Sequence, residues 1–306
     1  MQDWLFDIKR LHQEQDYVIP PFHVQLLKWI GNKQRFAHEI ISYFPDNYSK
    51  YIEPFLGSGA VLGTLAPERA VASDILRPLV EIWLTLKNDP DSLKSWYATR
   101  WQRFMSGDRQ EIYEQIKASY NYEPNPGDLL FLSRTCYGGV VRFRQDDGFM
   151  STPCGVHQPI SPSSFNHRVD LWRERVKGTE FYCSDFEQIM DQAEPGDVIY
   201  CDPPYIHSQA ILYGSQSFSL ERLLKVIARC KDLGVLVLLS IDGTKKSGDY
   251  LCNLPIPEGL FEREVMVNCG RSMLKRFQME GEDLSSEVVS DRLLLTWWRA
   301  GSGLHL

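Results

Sequence analysis

The chain of 306 residues carries 33 Lys plus Arg against 40 Asp plus Glu, a formal net charge of −7, with 43% hydrophobic and 24% charged residues. That balance is globular and excludes collagenous, mucin-like and wholly disordered chains; the length fits one large domain or two moderate ones. The acidic charge also counts against a nucleic acid as partner, because phosphate binders tend to be basic.

The longest uninterrupted apolar run, Val235 to Leu239, is far short of a membrane span. The opening MQDWLFDIKR is polar and charged, so no secretory signal is expected and a cytoplasmic protein away from membranes is. The seven cysteines form no C-x-x-C pair and are odd in number, which predicts reduced thiols, no disulfide framework and no metal site.

In chain order, residues 1–19 read as an N-terminal arm. Residues 24–30 (VQLLKWI) and 35–43 (RFAHEIISY) read as amphipathic helices around Gly31-Asn32. YIEPFL (51–56) reads as a buried strand, followed by the loop Gly57-Ser58-Gly59 and a helix over 60–65. RAVASD is a strand ending at Asp74, and a helix follows over 75–87. This alternation opens a doubly wound α/β sheet. Residues 88–178 differ. They begin helical and continue as LLFLSRTCYGGVVRFRQDDGFMSTPCG, in which VVRFRQDDGFMS reads as a β-hairpin turning at Asp147-Gly148. The alternation resumes with strand TEFYCSD, a helix over 186–193, strand VIYC before DPPY, a helix over 219–233 and strand VLVLLSI. FEREVMV (261–267) and RLLLTWW (292–298) are the last strands.

Three motifs carry chemistry. Asp202-Pro203-Pro204-Tyr205 follows a strand, where open α/β sheets bind ligands. Two prolines remove two backbone donors and leave their carbonyls free to accept. With an acidic side chain and a flat ring beside them, they suit an exocyclic amine on a planar base; a plain strand-ending turn is the alternative. Glu53-Pro54-Phe55-Leu56-Gly57-Ser58-Gly59 is a glycine loop that lets backbone approach a cofactor, and Asp74, 17 residues after Gly57, has the spacing of a ribose-binding carboxylate. The next glycine, Gly63, falls one residue late for a dinucleotide fingerprint, which favours a nucleoside cofactor without a pyrophosphate. Lys28-Trp29-Ile30-Gly31-Asn32-Lys33 offers a ring for a cation and an ammonium for a carboxylate, or else a core Trp between surface lysines.

K-W-x-G-x-K, E-P-F-x-G-x-G, a long insert and D-P-P-Y, in that order, resemble the Dam-like, alpha-group N6-adenine DNA methyltransferases. The resemblance runs from about Pro21 to Trp298 and includes CYGGVVRFRQDDGFMSTPCG and the closing RLLLTWW strand. It implies a Rossmann-like, mostly parallel sheet whose last strand is antiparallel. The catalytic domain would comprise residues 20–90 and 179–300, with a mainly helical, hairpin-bearing DNA-recognition insert at 91–178. It implies that S-adenosyl-L-methionine is held by Trp29, Lys33, Glu53, Phe55, Gly57, Gly59, Asp74, Asp185, Phe186 and Asp202. It further implies that Asp202, Pro203, Pro204 and Tyr205 grip a flipped adenine in duplex DNA, and that the enzyme is a monomer, in some members beside a restriction endonuclease of the same site. DNA contacts are expected from Arg134, Tyr137, Arg142, Arg144 and Pro153 in the insert and from Arg271, Lys275 and Arg276 before the last strand. Arg142 and Arg144 lie two apart on one strand face, and Arg is the usual reader of guanine. Gly139, Val140 and QDDGFMSTPC depart from the GATC-methylating members, so the recognition sequence stays open.

Two other readings remain at this level: an RNA or other amino-group methyltransferase, and a catalytically silent DNA-binding protein of the same fold. The charge objection narrows on inspection. Residues 131–177 hold seven Lys plus Arg and four Asp plus Glu, so this segment is +3 in a chain of −7.

Overall fold

The computed structural model describes residues 19–144, 146–204, 218–241, 244–245, 250–251, 255–270 and 289–297. Its strands are β1 (Tyr51–Glu53), β2 (Ala70–Asp74), β3 (Thr179–Cys183), β4 (Val198–Cys201), β5 (Leu236–Ile241), the short β6 (Thr244–Lys245) and β7 (Tyr250–Leu251), β8 (Arg263–Gly270) and β9 (Val289–Leu295). Seven of them form one sheet in the order β3-β2-β1-β4-β5-β9-β8, and β6 pairs with β7 apart from it. The pairs from β3 through to β5 are parallel. The last strand, β9, lies antiparallel between β5 and β8. The sheet is therefore mostly parallel and Rossmann-like with its last strand antiparallel, as the family resemblance implied.

Strand periodicity sorts the side chains to two faces. Tyr51, Val198, Tyr200, Leu236, Leu238, Leu293 and Leu295 belong to one core. Ile52, Ile199, Cys201, Val237, Leu239 and Leu294 belong to the other. Both faces are apolar because both are covered, as parallel sheets require. Helices α8 (Phe186–Met190) and α9 (Leu220–Asp232) cover the second face.

The first face is covered by α3 (Arg77–Asn88) and by the segment between β2 and β3. That segment carries α4 (Pro90–Ser106), α5 (Arg109–Tyr122), α6 (Pro126–Thr135) and α7 (Pro162–Val176); α1 (Ala37–Ile41) and α2 (Ala60–Leu65) precede it. Local sequence sets the starts of these four helices. Asp89, Asp108, Asn125 and Ser161 each accept from a backbone N–H three residues on, at 3.2, 2.8, 2.9 and 3.2 Å. Pro follows the cap in three of them, where its missing N–H costs nothing. The hairpin is present in minimal form. Phe143 bridges Met150, Arg144 N donates to Phe149 O at 2.9 Å and Ser151 N donates to Arg142 O at 3.0 Å.

Trp172 of α7 ties the segment to the sheet. Its ring meets Trp83 of α3 at 5.2 Å and Phe22 at 5.2 Å, and Trp83 stacks on Phe181 of β3. A Cβ on Gly63 of α2 would lie 2.4 Å from the Trp172 ring, so only glycine lets α2 pack there.

Three sequence expectations are corrected here. Residues 24–30 are not helical. Their carbonyls are taken by tertiary donors: Val24 O by Trp172 Nε1 (2.9 Å), Gln25 O by Arg168 (2.8 Å) and Leu26 O by Arg134 (2.8 Å). The second expected helix, 35–43, shortens to α1, and strand 51–56 shortens to β1, beyond which Gly59 N turns back onto Leu56 O. The N-terminal arm, residue 19 excepted, lies outside the described residues.

Candidate active site and nucleic-acid interface

The chain order reverses between β1 and β4, the neighbours at the centre of the sheet. A crevice opens beyond the carboxyl ends of strands at such a point. Glu53 ends β1 and Asp202 follows β4, so the topology alone brings both carboxylates to one cavity. Trp29, Lys33, Phe55, Gly57, Tyr200 and Pro204 also line it.

The polar groups of this cavity are tightly partnered. Lys33 Nζ lies 3.0 Å from Asp202 Oδ1. Glu53 is buried and accepts on Oε2 from Tyr51 OH (2.7 Å) and from Leu62 N (3.0 Å) at the start of α2. Burial raises the Glu53 carboxyl to about 8, with the charge of Asp202 adding to the rise; the bonds from Tyr51 and Leu62 oppose it. Glu53 thus holds a proton near neutrality while facing Asp202. Tyr200 OH shares a hydrogen bond of 2.9 Å with Ser240.

Asp74, at the end of β2, braces the glycine loop. Its Oδ2 accepts from Gly57 N and its Oδ1 from Leu76 N, each at 3.0 Å. Gly57 O accepts from Trp83 Nε1 at 3.2 Å. Gly57 has φ +47°, and a Cβ there would meet Trp29 Cδ1 at 3.3 Å, so the loop and the Trp29 ring are in near contact only because the residue is glycine. Gly59, also at positive φ, starts α2. Asp185 caps α8, accepting from Glu187 N at 3.0 Å, and Phe186 stacks on Phe55 with centroids 5.3 Å apart. Trp29, Lys33, Glu53, Phe55, Gly57 and Asp202 therefore share one cavity lining, with Asp74 and Phe186 directly behind it. Cys201 is fully buried and its thiol is pushed well above the ordinary range by burial. Sequence reasoning missed Tyr51 and Tyr200. Both are tyrosines in otherwise aliphatic buried strands, a signal that a hydroxyl there has a partner.

The insert residues separate into two groups. Tyr137, Arg142, Arg144 and Pro153 are exposed on the hairpin and the loop that leads to it, and Tyr137 N donates to Pro153 O at 2.8 Å. Among the described residues the Arg142 guanidinium has no hydrogen-bond or ion-pair partner, whereas Arg144 holds Asp147 through two bonds of 2.7 and 3.1 Å and covers the Phe149 ring. Arg134 corrects an expectation. It is buried and its guanidinium donates to Gln25 O and Leu26 O, so it braces the chain around Lys28 rather than facing solvent. Tyr205, Arg271, Lys275 and Arg276 lie outside the described residues.

Sheet order, switch-point cavity and the acidic-Pro-Pro turn define an α/β methyltransferase. The description of D12 class N6 adenine-specific DNA methyltransferases matches residues 29–267. The type II methyltransferase M.MjaIII of Methanocaldococcus jannaschii is 30% identical over 199 residues, 58% of this chain and 68% of its own. The DNA adenine methylase of Vibrio cholerae is 26% identical over 231 residues, covering 70% of this chain and 79% of the relative. The DNA N-6-adenine-methyltransferase of Escherichia phage P1 is 27% identical over 234 residues, 72% of this chain but 30% of the longer phage protein. The chain belongs to the D12 class N6 adenine-specific DNA methyltransferases, enzymes that methylate adenine in DNA at specific sites. Among the described residues no helix is long and apolar enough to cross a membrane.

Proposed function

We propose that S-adenosyl-L-methionine is the methyl donor and that its place is the cavity between Glu53 and Asp202. The lining fits this ligand on three counts: a glycine loop with no Cβ beside Trp29, an ammonium at Lys33, and an aromatic ring at Phe55 backed by Phe186. Bound there, the donor supplies a methyl group on a sulfonium. Trp29 presents a π face to that cation, Lys33 pairs with the carboxylate, Asp74 meets the ribose, and Asp185 with Phe186 meets the adenine. Glu53 leaves Oε1 for the cavity, since both of its protein bonds fall on Oε2.

The target adenine leaves the duplex to reach the turn after β4. Asp202 and the Pro203 carbonyl accept from its N6–H, Pro204 walls the pocket and Tyr205 stacks on the base. These bonds draw the amine lone pair out of conjugation and aim it at the methyl carbon. In a direct displacement the N–C bond would form as the S–C bond breaks, the donor would leave as S-adenosylhomocysteine, and the surplus N6 proton would pass by way of Asp202 to solvent, with positioning and electrostatics supplying the rate. The transfer calls on no nucleophilic cysteine, and Cys201, beside Asp202 in sequence, is buried with its thiol pushed well up by burial.

Residues 91–178 act as the target-recognition insert, with Arg142 reading a base from the hairpin, Arg144 beside it, Tyr137 and Pro153 shaping the loop, and Arg271, Lys275 and Arg276 contacting phosphates. The enzyme works as a cytoplasmic monomer. Relatives named type II methyltransferases support a restriction endonuclease of the same site as its biological counterpart. The observation that carries the reading is the Lys33–Asp202 pair inside the switch-point cavity. Single-molecule sequencing of DNA from cells expressing the chain tests it: one short motif methylated at adenine N6 is expected, and unmodified DNA from cells holding folded protein overturns it.

A further inference from the structure

Helix α9 begins downstream of the D-P-P-Y turn, and nothing in the mechanism above uses it. Yet Phe218, two residues ahead of the helix, and Arg222, in its first turn, hold the group assigned to the cofactor's adenine. Phe218 meets Phe55 edge-on (5.9 Å, 82°) and lies at 6.0 Å from Phe186. Arg222 donates to Asp185 Oδ1 at 2.9 Å and to Glu187 Oε2 at 2.8 Å, and its guanidinium lies 5.1 Å from the Phe186 ring centre. Arg229, two turns further along, extends the clamp to Glu187 and Asp191 at 3.1 and 2.7 Å.

Exposed ion pairs of this kind contribute little to folding, so stability alone is a weak reason for three carboxylates to converge on two arginines of one helix. Their geometry has a sharper consequence. The Asp185 carboxylate receives both Glu187 N and Arg222 on Oδ1. Among the described residues no donor reaches Oδ2, which is thereby fixed in direction and left as an acceptor. Phe218 does for the ring what Arg222 does for the carboxylate, wedging Phe55 against Phe186.

We propose that Phe218 and Arg222 are positioning residues for the cofactor: Arg222 aims Asp185 at the adenine's exocyclic amine, and Phe218 fixes the Phe55 face on which the adenine lies. This rests on the reading that S-adenosyl-L-methionine occupies the cavity.

Calorimetry with the full chain tests the proposal, using S-adenosylhomocysteine and its deaminated analogue S-inosylhomocysteine, which lacks the amine donor. Wild-type protein prefers the adenosyl ligand, and Arg222→Met reduces that preference by about tenfold, the scale of one charge-assisted hydrogen bond. Arg222→Lys recovers part of it. Phe218→Ala weakens both ligands alike, and Phe218→Leu weakens them less. In turnover the Arg222→Met change falls on KM for the donor rather than on kcat. A loss of folding stability alone would shift melting without moving the ratio of the two affinities. An unchanged ratio in Arg222→Met, with wild type binding normally, overturns the proposal for Arg222; unchanged affinity in Phe218→Ala overturns it for Phe218. Failure of wild type to bind either ligand contradicts the cofactor reading itself.

Discussion

Lys33 and Asp202 form an ion pair of 3.0 Å with side-chain exposures of 5% and 19%. The two residues lie far apart in the chain, one before β1 and one after β4, the two strands that pair at the centre of the sheet. The pair joins the segment expected to meet the donor's carboxylate to the carboxylate expected to meet the target amine. Removing one partner of a buried pair leaves an uncompensated charge and costs about 3–5 kcal/mol; partial exposure of Asp202 places this case at the low end. Lys33→Met therefore lowers stability by about 3 kcal/mol in urea unfolding, and Lys33→Met with Asp202→Asn recovers most of that loss. A double variant no more stable than the single one would show that the pair is not coupled.

Glu53 gives a pH dependence of defined sign. Its carboxyl is raised to about 8 in the folded chain, against about 4.3 in an unfolded one. Between those values the native state holds a proton that the unfolded state has lost. Its contribution is fully present below about pH 4.3, falls as pH rises, and is gone above about pH 8. Glu53→Gln keeps the neutral shape and removes this slope. Chemical denaturation at pH 6 and pH 8 is expected to show the variant gaining on wild type by of order 2 kcal/mol across that interval. A parallel pair of stability curves would contradict a protonated Glu53.

Gly63 faces Trp172, and the 2.4 Å approach of an added Cβ leaves no room for even one methyl. The neighbouring atoms belong to a large ring packed against Trp83 and Phe22, so it cannot swing aside. Gly63→Ala is expected to cost about 1–3 kcal/mol through overpacking, visible as a lowered midpoint in thermal melting. An unchanged midpoint would mean that α2 and α7 slide apart freely.

Arg142 and Arg144 should differ in their effect on sequence choice. Arg144 is already engaged with Asp147 and Phe149, whereas Arg142 has no partner among the described residues. Arg142→Ala is expected to lose about 1–3 kcal/mol of discrimination at one base pair, read as a relaxed motif in the methylated DNA. Arg144→Ala should leave the motif intact and loosen the hairpin. The opposite assignment of motif relaxation would reverse the two roles.

Much of this architecture was legible because periodic burial imposes periodic sequence. The five parallel strands and their helices stand where apolar runs and turn residues put them, and the order of motifs predicts the cavity that Trp29, Lys33, Glu53, Phe55, Gly57 and Asp202 share. What escaped depends on partners distant in the chain. VQLLKWI has helical spacing, but Trp172, Arg168 and Arg134 take its carbonyls across more than a hundred residues, and an irregular path results. For the same reason Arg134 looked like a DNA contact and is instead buried. Phe218 and Arg222 carry no motif; only the packing of α9 on α8 brings them to Asp185 and Phe186.

The central claim is that Asp202 accepts from the target adenine during direct methyl transfer. Its most direct test is transfer of labelled methyl from S-adenosyl-L-methionine to duplex DNA carrying the enzyme's own motif, for wild type and Asp202→Ala, with DNA binding measured in parallel. The account predicts label at adenine N6 with wild type, and loss of transfer with retained DNA binding in Asp202→Ala. Wild-type turnover by Asp202→Ala would contradict it.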